Sequence, residues 1–382
     1  MIKLCKKQSE PPAKRRQAIL WGGLFCIIVG LNILARLMPE FAEWYASKVY
    51  PLLVGSLGRF SSLFPFSVSE LLLAAGLLWA VVKVARALIR LIKRPAQRQE
   101  EPRAKGTAAG SLKNVALSAG KLLLVLLFVF TINCGINYHR LTFSHRAGFS
   151  VQESTVEELA ELCLQLTEEI NEEAQKISVD EQGGCLTSDN LQERAVEAMQ
   201  AAGETYPDLA GYYPNAKEIF SSRIFSYQQL QGIYSPFTIE ANYNRDMPEY
   251  NKPAAICHEL SHLKGFMRED EANFIAYLAC RASKDADFRY SGSMLAYVYS
   301  MNALYREDPE LYFSIRAQLC EQANRDMKLD REFWDAYKGT VAEVSDKVND
   351  TYLKANAQTD GTKSYGRMVD LLLALQRTEN AG

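Results

Sequence analysis

Three apolar stretches of about twenty residues, all within the first 140 positions, constrain this chain more than any other feature. A segment surrounded by lipid must satisfy every backbone N–H and C=O internally, so stretches of this composition can only be helices. Residues 17–37 (QAILWGGLFCIIVGLNILARL) carry one charge, Arg36, over a length that matches a hydrocarbon core about 30 Å thick. A second stretch covers 68–89, with Lys83 and Arg86 placed to snorkel, and a third covers 115–136, with Lys121 near one end. The first lacks a small-x-small cleavage site and precedes two more, so it reads as a span and not as a cleaved leader. The expectation is a three-span membrane anchor over residues 1–140 and a second domain over 141–382.

Charge divides the chain at the same place. Residues 1–140 hold 20 Lys+Arg against 6 Asp+Glu, net +14, and residues 141–382 hold 23 against 39, net −16. Six Lys+Arg fall in 1–16, two in 39–67 (Lys48, Arg59) and six in 93–114. The positive-inside rule therefore keeps the N-terminus and the 93–114 loop in the cytoplasm and delivers everything after about Tyr138 to the outside. The stretch RPAQRQEEPRAKGTAAGS (94–111) reads as a flexible loop. The lipid bilayer is an expected partner. Nucleic acid is not, because the acidic half offers no clustered basic footprint. Aromatic content of 10% with periodic apolar runs excludes a disordered or collagen-like chain.

Residues 141–382 read as a mainly helical α+β domain. Ser154 and Glu157 form a capping-box pattern, and Val156, Leu159, Cys163, Leu166 and Ile170 follow at helical spacing, so a helix is expected over 155–176. Further helices are expected near 188–202, 252–264, 269–283, 291–306, 309–324, 331–357 and 365–378. The stretch SYQQLQGIYSPFTIEANYN (226–244) mixes aromatic and β-branched residues with Gly232 and Pro236 and reads as a strand or hairpin. Five cysteines lie beyond residue 140 (Cys163, Cys185, Cys257, Cys280, Cys320) with no CxxC pair, which suits core thiols with room for one disulfide.

The chemistry is concentrated in CHELSHLKGFMREDEANFIA (257–276). His258 and His262 are four apart, so on a helix they project from one face and can grip a single metal ion. Glu259 is turned to one side of that face, placed to take a proton from water. Ile256, Leu260 and Leu263 form the apolar stripe that would bury the helix. With four histidines in the chain, an HExxH arises by chance in roughly a few chains per thousand of this composition. A catalytic Zn²⁺ needs a third protein ligand. His139 and His145 lie just outside the third span and are expected at the membrane surface, which leaves Glu269, Asp270 and Glu271. On an unbroken helix residue 269 would sit about 10 Å along the axis, so the chain must turn, and Gly265 is where a left-handed cap can form.

The residues 269–276, EDEANFIA, resemble the ExxA(D/N)xxA signature that follows HExxH in gluzincin-type peptidases, including the HtpX and CAAX-prenyl protease type and the ImmA/IrrE type. The resemblance implies Glu269 as third ligand, with Glu271 as its rival. It also implies that Asn273 holds a histidine or Glu269 in place and that Ala272 and Ala276 let two helices approach closely. The gap of six residues between His262 and Glu269 is shorter than in those peptidases. HExxHxxG also opens the metzincin motif, but Arg268 occupies that class's third-ligand position. Over most of its length the chain is similar to a group of bacterial membrane proteins with three N-terminal spans and an outward zincin-like domain. The stretches that carry this are EWYASKVYP, LFPFSVSEL, GIYSPFTIEANYN, ICHELSHLKGFMREDEANFIAYLAC and YLKANAQTDGTKSYGRMVDLLLALQ. That resemblance implies a multi-pass protein of the bacterial plasma membrane and a peptidase, with no substrate attached.

The expected function is a membrane-anchored zinc metallopeptidase acting on a peptide or protein substrate, with Glu259 as general base. The 232–242 stretch is the candidate substrate-binding edge. Tyr365 and Tyr290 are candidate oxyanion donors. The alternative is a non-catalytic receptor or scaffold that retains a zincin fold. Cleavage inside the bilayer is disfavoured, because Lys252, Lys264 and the acids at 269–271 surround the motif.

Overall fold

The computed structural model describes residues 12–92, 107–356, 358 and 367–381. Three long helices open it: α1 (Pro12–Leu37), α2 (Val68–Ile92) and α3 (Thr107–Phe130). Within and just beyond them, Arg15–Leu37, Val68–Arg86 and Val115–His139 are long and apolar enough to cross a membrane. The third continues past α3 through a π-helical turn, Thr131–Gly135, and a 3-10 turn, Ile136–His139. Asn32 on α1 donates to Ile28 O at 2.9 Å and to Thr131 Oγ1 at 3.2 Å, so one amide links the first and third of these apolar segments.

The chain between α1 and α2 is more than a connecting loop. From Pro39 to Ser61 it forms successive helical turns, two of them π-helical. One side, including Ala42, Tyr45, Tyr50 and Val54, is buried in the same core as residues beyond 140. Arg140 clamps this segment, donating Nε and Nη2 to the two oxygens of Glu43 at 3.0 and 2.9 Å. Both side chains are nearly buried, where a bidentate fork offsets the cost of removing two charges from water.

Beyond residue 140 the fold is mainly helical. The main helices are α4 (Val156–Glu173), α5 (Leu191–Thr205), α6 (Lys252–His262), α7 (Glu269–Ala282), α8 (Ala286–Glu307), α9 (Pro309–Arg316), α10 (Glu321–Asp335), α11 (Thr340–Ala355) and α12 (Met368–Ala381). The capping box at the start of α4 is one residue later than expected. Thr155 accepts from the Glu158 backbone and Glu158 reaches back to the Thr155 N–H. The later register lets Glu158 also pair with Arg377 of α12 at 2.8 Å. The helix expected over 309–324 breaks after Arg316. Asn171 Oδ1 accepts the Cys320 N–H at 2.7 Å and Asn324 Nδ2 donates to Leu319 O and Cys320 O, so side-chain amides satisfy the backbone at the break. The helix expected over 331–357 is split into α10 and α11 at Gly339, whose φ is +146°.

The expected hairpin forms: β4 (Gly232–Ser235) pairs antiparallel with β5 (Glu240–Tyr243). A short strand not anticipated from sequence, β3 (Lys217–Glu218), pairs parallel on the other side of β5. The order β3-β5-β4 leaves β4 at the edge. A separate ladder joins β1 (Ser178–Val179) to β2 (Cys185–Leu186). Buried Lys217 pairs with buried Glu240, which also accepts the Val68 and Ser69 N–H groups at 3.1 and 2.9 Å and so ties the sheet to the start of α2. Among the described residues all cysteines are free thiols; Cys163, Cys185, Cys257 and Cys280 are buried and Cys320 is half-buried.

Candidate metal centre

Local sequence explains how the two ends of the motif meet. α6 presents His258 and His262 one turn apart, with ring centroids 4.9 Å from each other. The helix then ends in a Schellman turn, in which Gly265 N donates to His262 O at 2.9 Å and Phe266 N to Ser261 O at 3.3 Å. Gly265 adopts φ +80°, a left-handed conformation that a side chain would strain. Phe266 is fully buried against Phe143 at 5.3 Å, and the Arg140 guanidinium lies 3.9 Å over its ring. That packing aims the Phe266 carbonyl back at the helix, where it lies 2.7 Å from His262 Nδ1. The chain reverses, and α7 begins at Glu269.

Glu269 Oε2 consequently lies 3.1 Å from His258 Nε2 and 4.0 Å from His262 Nε2. One ligating atom from each of the three residues falls within 4.8 Å of the others. Donors about 2.0–2.2 Å from a tetrahedral zinc stand roughly 3.3 Å apart, so the spacing suits such an ion after small adjustments. The hydrogen bonds point the same way. His258 Nδ1 lies 2.8 Å from Asn273 Oδ1 and His262 Nδ1 faces the Phe266 carbonyl. Both Nδ1 atoms therefore carry a proton, which leaves Nε2 of each ring as the atom that would face an ion. Asn273 Nδ2 in turn donates to the Tyr299 hydroxyl at 3.3 Å.

Electrostatics distinguish the members. Burial works against a charge on His258, but the hydrogen bond and charge of Glu269 outweigh it and raise its pKa to about 9. Burial pushes His262 down to about 4, with Glu269 opposing. Burial also pushes the Glu259 carboxyl up to about 8, with His258 opposing and Glu269 reinforcing. Glu259 Oε2 is buried without a hydrogen-bond partner. Its other side is closed by β4: a Cβ on Gly232 would stand 2.6 Å from Glu259 Oε1 and 2.8 Å from Asn242 O, so only glycine allows the strand to approach this closely.

The remaining sequence candidates fall elsewhere. Glu271 accepts the Phe143 N–H and pairs with Arg268, each at 2.9 Å, and so braces the turn instead of joining the histidines. Asp270 pairs with Arg367 at 3.4 Å. Tyr290 is not positioned as an oxyanion donor; it is fully buried and donates to Asp326 Oδ2 at 2.7 Å, because α8 turns it toward α10. Tyr365 lies outside the described residues. His139 is half-buried on the 3-10 turn that ends the third span, and His145 is exposed on the short helix Phe143–Ala147.

A cavity of about 870 Å³ opens beside these three residues, lined by His258, Glu259, His262 and Glu269 together with Tyr234 and Tyr352. Neither tyrosine stood out in the sequence. The Tyr234 hydroxyl donates to Asn133 O at 3.1 Å and meets Tyr50 Oη at 2.8 Å, while Tyr352 Oη accepts from Tyr138 at 3.1 Å. Their partners are over 70 residues away in the chain, and no local pattern signals such pairs. The edge strand β4 runs along the same cavity through Gly232, Ile233 and Tyr234.

No curated protein and no solved structure matches the chain. A family model described as a protein of unknown function, DUF3810, matches residues 45–373, a stretch that takes in most of the segment between the first two long helices, the candidate metal centre and the start of α12. The chain therefore belongs to the DUF3810 family.

Proposed function

We propose that this chain is a membrane-anchored zinc metallopeptidase of zincin-like type, built as a three-span anchor (1–140) and a domain (141–382) that works outside the cytoplasm of a bacterial cell. The observation that carries the reading is the convergence of two imidazole Nε2 atoms and one carboxylate beside a buried, unpartnered Glu259 oxygen, all on the wall of an open cavity. His258, His262 and Glu269 would hold the ion. A bound zinc supplies a Lewis acid that polarises the scissile carbonyl and acidifies water. Glu259 accepts a proton as water adds to the carbonyl carbon, then delivers it to the nitrogen as the C–N bond breaks, releasing a carboxylate and an amine. Asn273 and the Phe266 carbonyl hold the two imidazoles in their ligating tautomer. β4 offers an edge along which an extended substrate backbone can pair.

The orientation rests on the Lys+Arg excess in 1–16 and 93–114. Three spans also place residues 39–66 and everything after 140 on one side of a bilayer, which suits the Glu43–Arg140 and Tyr50–Tyr234 contacts.

The test is elemental analysis of the full chain purified in detergent. The expected result is about one zinc per chain, lost in His262→Ala, with peptide hydrolysis abolished in Glu259→Gln while zinc is retained. A folded protein that takes up no zinc after incubation with it would sink the peptidase reading and leave the receptor or scaffold.

A further inference from the structure

Hydrolysis alone does not explain why the walls of the cavity are apolar. On α11, Val341, Val344 and Val348 are spaced three and four apart, so they share one face. They line the cavity, yet stay 53%, 54% and 64% exposed. Beside the motif helix, Ile233 on β4 and Phe237 in the following turn also line it and are 45% and 47% exposed. A further wall consists of Phe130, Cys134 and Tyr138, the last turns of the third span. Among the described lining residues there is no Lys or Arg, and the only carboxylates are Glu259 and Glu269.

We infer that the cleft takes an extended apolar stretch of a polypeptide anchored in the bilayer, an inference that deepens the metallopeptidase reading and rests on it. Three features select this occupant. The edge strand requires an extended backbone, since only an extended chain can add main-chain hydrogen bonds to β4. The valine face and Ile233 match apolar side chains, and no Lys or Arg among the described lining residues favours an acidic segment over an apolar one. The end of the third span forms one wall, so the cleft begins where the bilayer ends, and a chain emerging from lipid reaches it without first crossing water.

The test uses the full-length Glu259→Gln protein in nanodiscs and a photo-crosslinking peptide of alternating Leu and Val. The peptide is tethered through a short linker to a palmitoyl chain, and labelling is mapped by mass spectrometry. A palmitoylated Ser/Gln peptide controls for partition into the bilayer. The expected result is labelling within 232–237 and 340–352, at least about tenfold stronger for the apolar peptide, in line with the burial of one or two aliphatic side chains. Val344→Glu and, on β4, Ile233→Gln should each remove that advantage with zinc content unchanged. Equal labelling by the Ser/Gln peptide, or no effect of either variant, would overturn the apolar class. Equal labelling by the same peptide without its palmitoyl anchor would overturn the bilayer as its source. Valine-dependent labelling of a protein that holds no zinc would support the apolar cleft while removing the peptidase reading, so the two failures are distinguishable.

Discussion

At the scale of single residues, the candidate centre depends on side chains that do not ligate. Asn273 is the clearest. Its Oδ1 fixes the proton on His258 Nδ1, and its own amide is oriented by Tyr299. Replacing it with alanine frees the ring to rotate and to change tautomer. Asn273→Ala is expected to weaken zinc affinity by about 10–100-fold while leaving the fold intact, the range typical of groups that orient a ligating histidine. Competitive titration with a chromogenic chelator, alongside circular dichroism, measures both. An unchanged affinity would show that His258 is oriented by packing alone.

The element that assembles the site is the α6–turn–α7 unit. A continuous helix from Lys252 to Ala282 would carry Glu269 about 10 Å beyond His262, and the Schellman turn at Gly265 is what brings it back. Gly265 is crowded as well as strained: a Cβ there would lie 3.3 Å from Asn137 Nδ2 and 3.4 Å from Tyr50 Cδ1. Gly265→Ala is expected to cost about 1–2 kcal/mol from the left-handed conformation alone and to lower zinc affinity by moving Glu269. Gly339→Ala, at a positive φ in open space, is the matched control, expected to destabilise with zinc affinity unaltered. Thermal unfolding in detergent and zinc titration of both variants separate strain from misplacement. Equal zinc loss in the two would remove any special role for the Gly265 turn.

At the scale of the whole molecule, the membrane-proximal residues and the domain share one core. Tyr50 contacts the Tyr234 hydroxyl at 2.8 Å and the His262 carbonyl at 3.3 Å, and Arg140 donates to Lys264 O at 2.9 Å. Ile136 and Tyr138 are buried in the same cluster. A chain cut to residues 141–382 loses all of these, and each fully buried aliphatic or aromatic side chain removed costs about 2–5 kcal/mol. That is a large share of the typical 5–15 kcal/mol of net stability. The truncated chain is therefore expected to be protease-sensitive and to bind no stoichiometric zinc, while the full chain binds it. Limited proteolysis and elemental analysis of both decide this; a truncated chain that is compact and zinc-loaded would show that the shared core is dispensable.

What the sequence by itself determined is what depends on neighbouring residues. Three helices long and apolar enough to cross a membrane follow from runs of apolar side chains, and α6 and α7 follow from helical spacing that sets His258 beside His262 and starts a new helix at Glu269. The split of the expected helix at 317–320 was not legible, because the distant Asn171 satisfies the backbone there; the split at Gly339 had a local signal, a glycine that takes a positive φ in open space. Nor could the residue pattern alone say which of Glu269 and Glu271 comes near the histidines: both lie in the first turn of α7, and the Phe143 N–H and Arg268 draw Glu271 away. Tyr290 failed for the same reason, since burial against Asp326 is a long-range contact. Only the tertiary structure could bring the end of the third span, β4 and α11 to one cavity, because those walls are more than 90 residues apart in the chain and meet only when the whole core has packed.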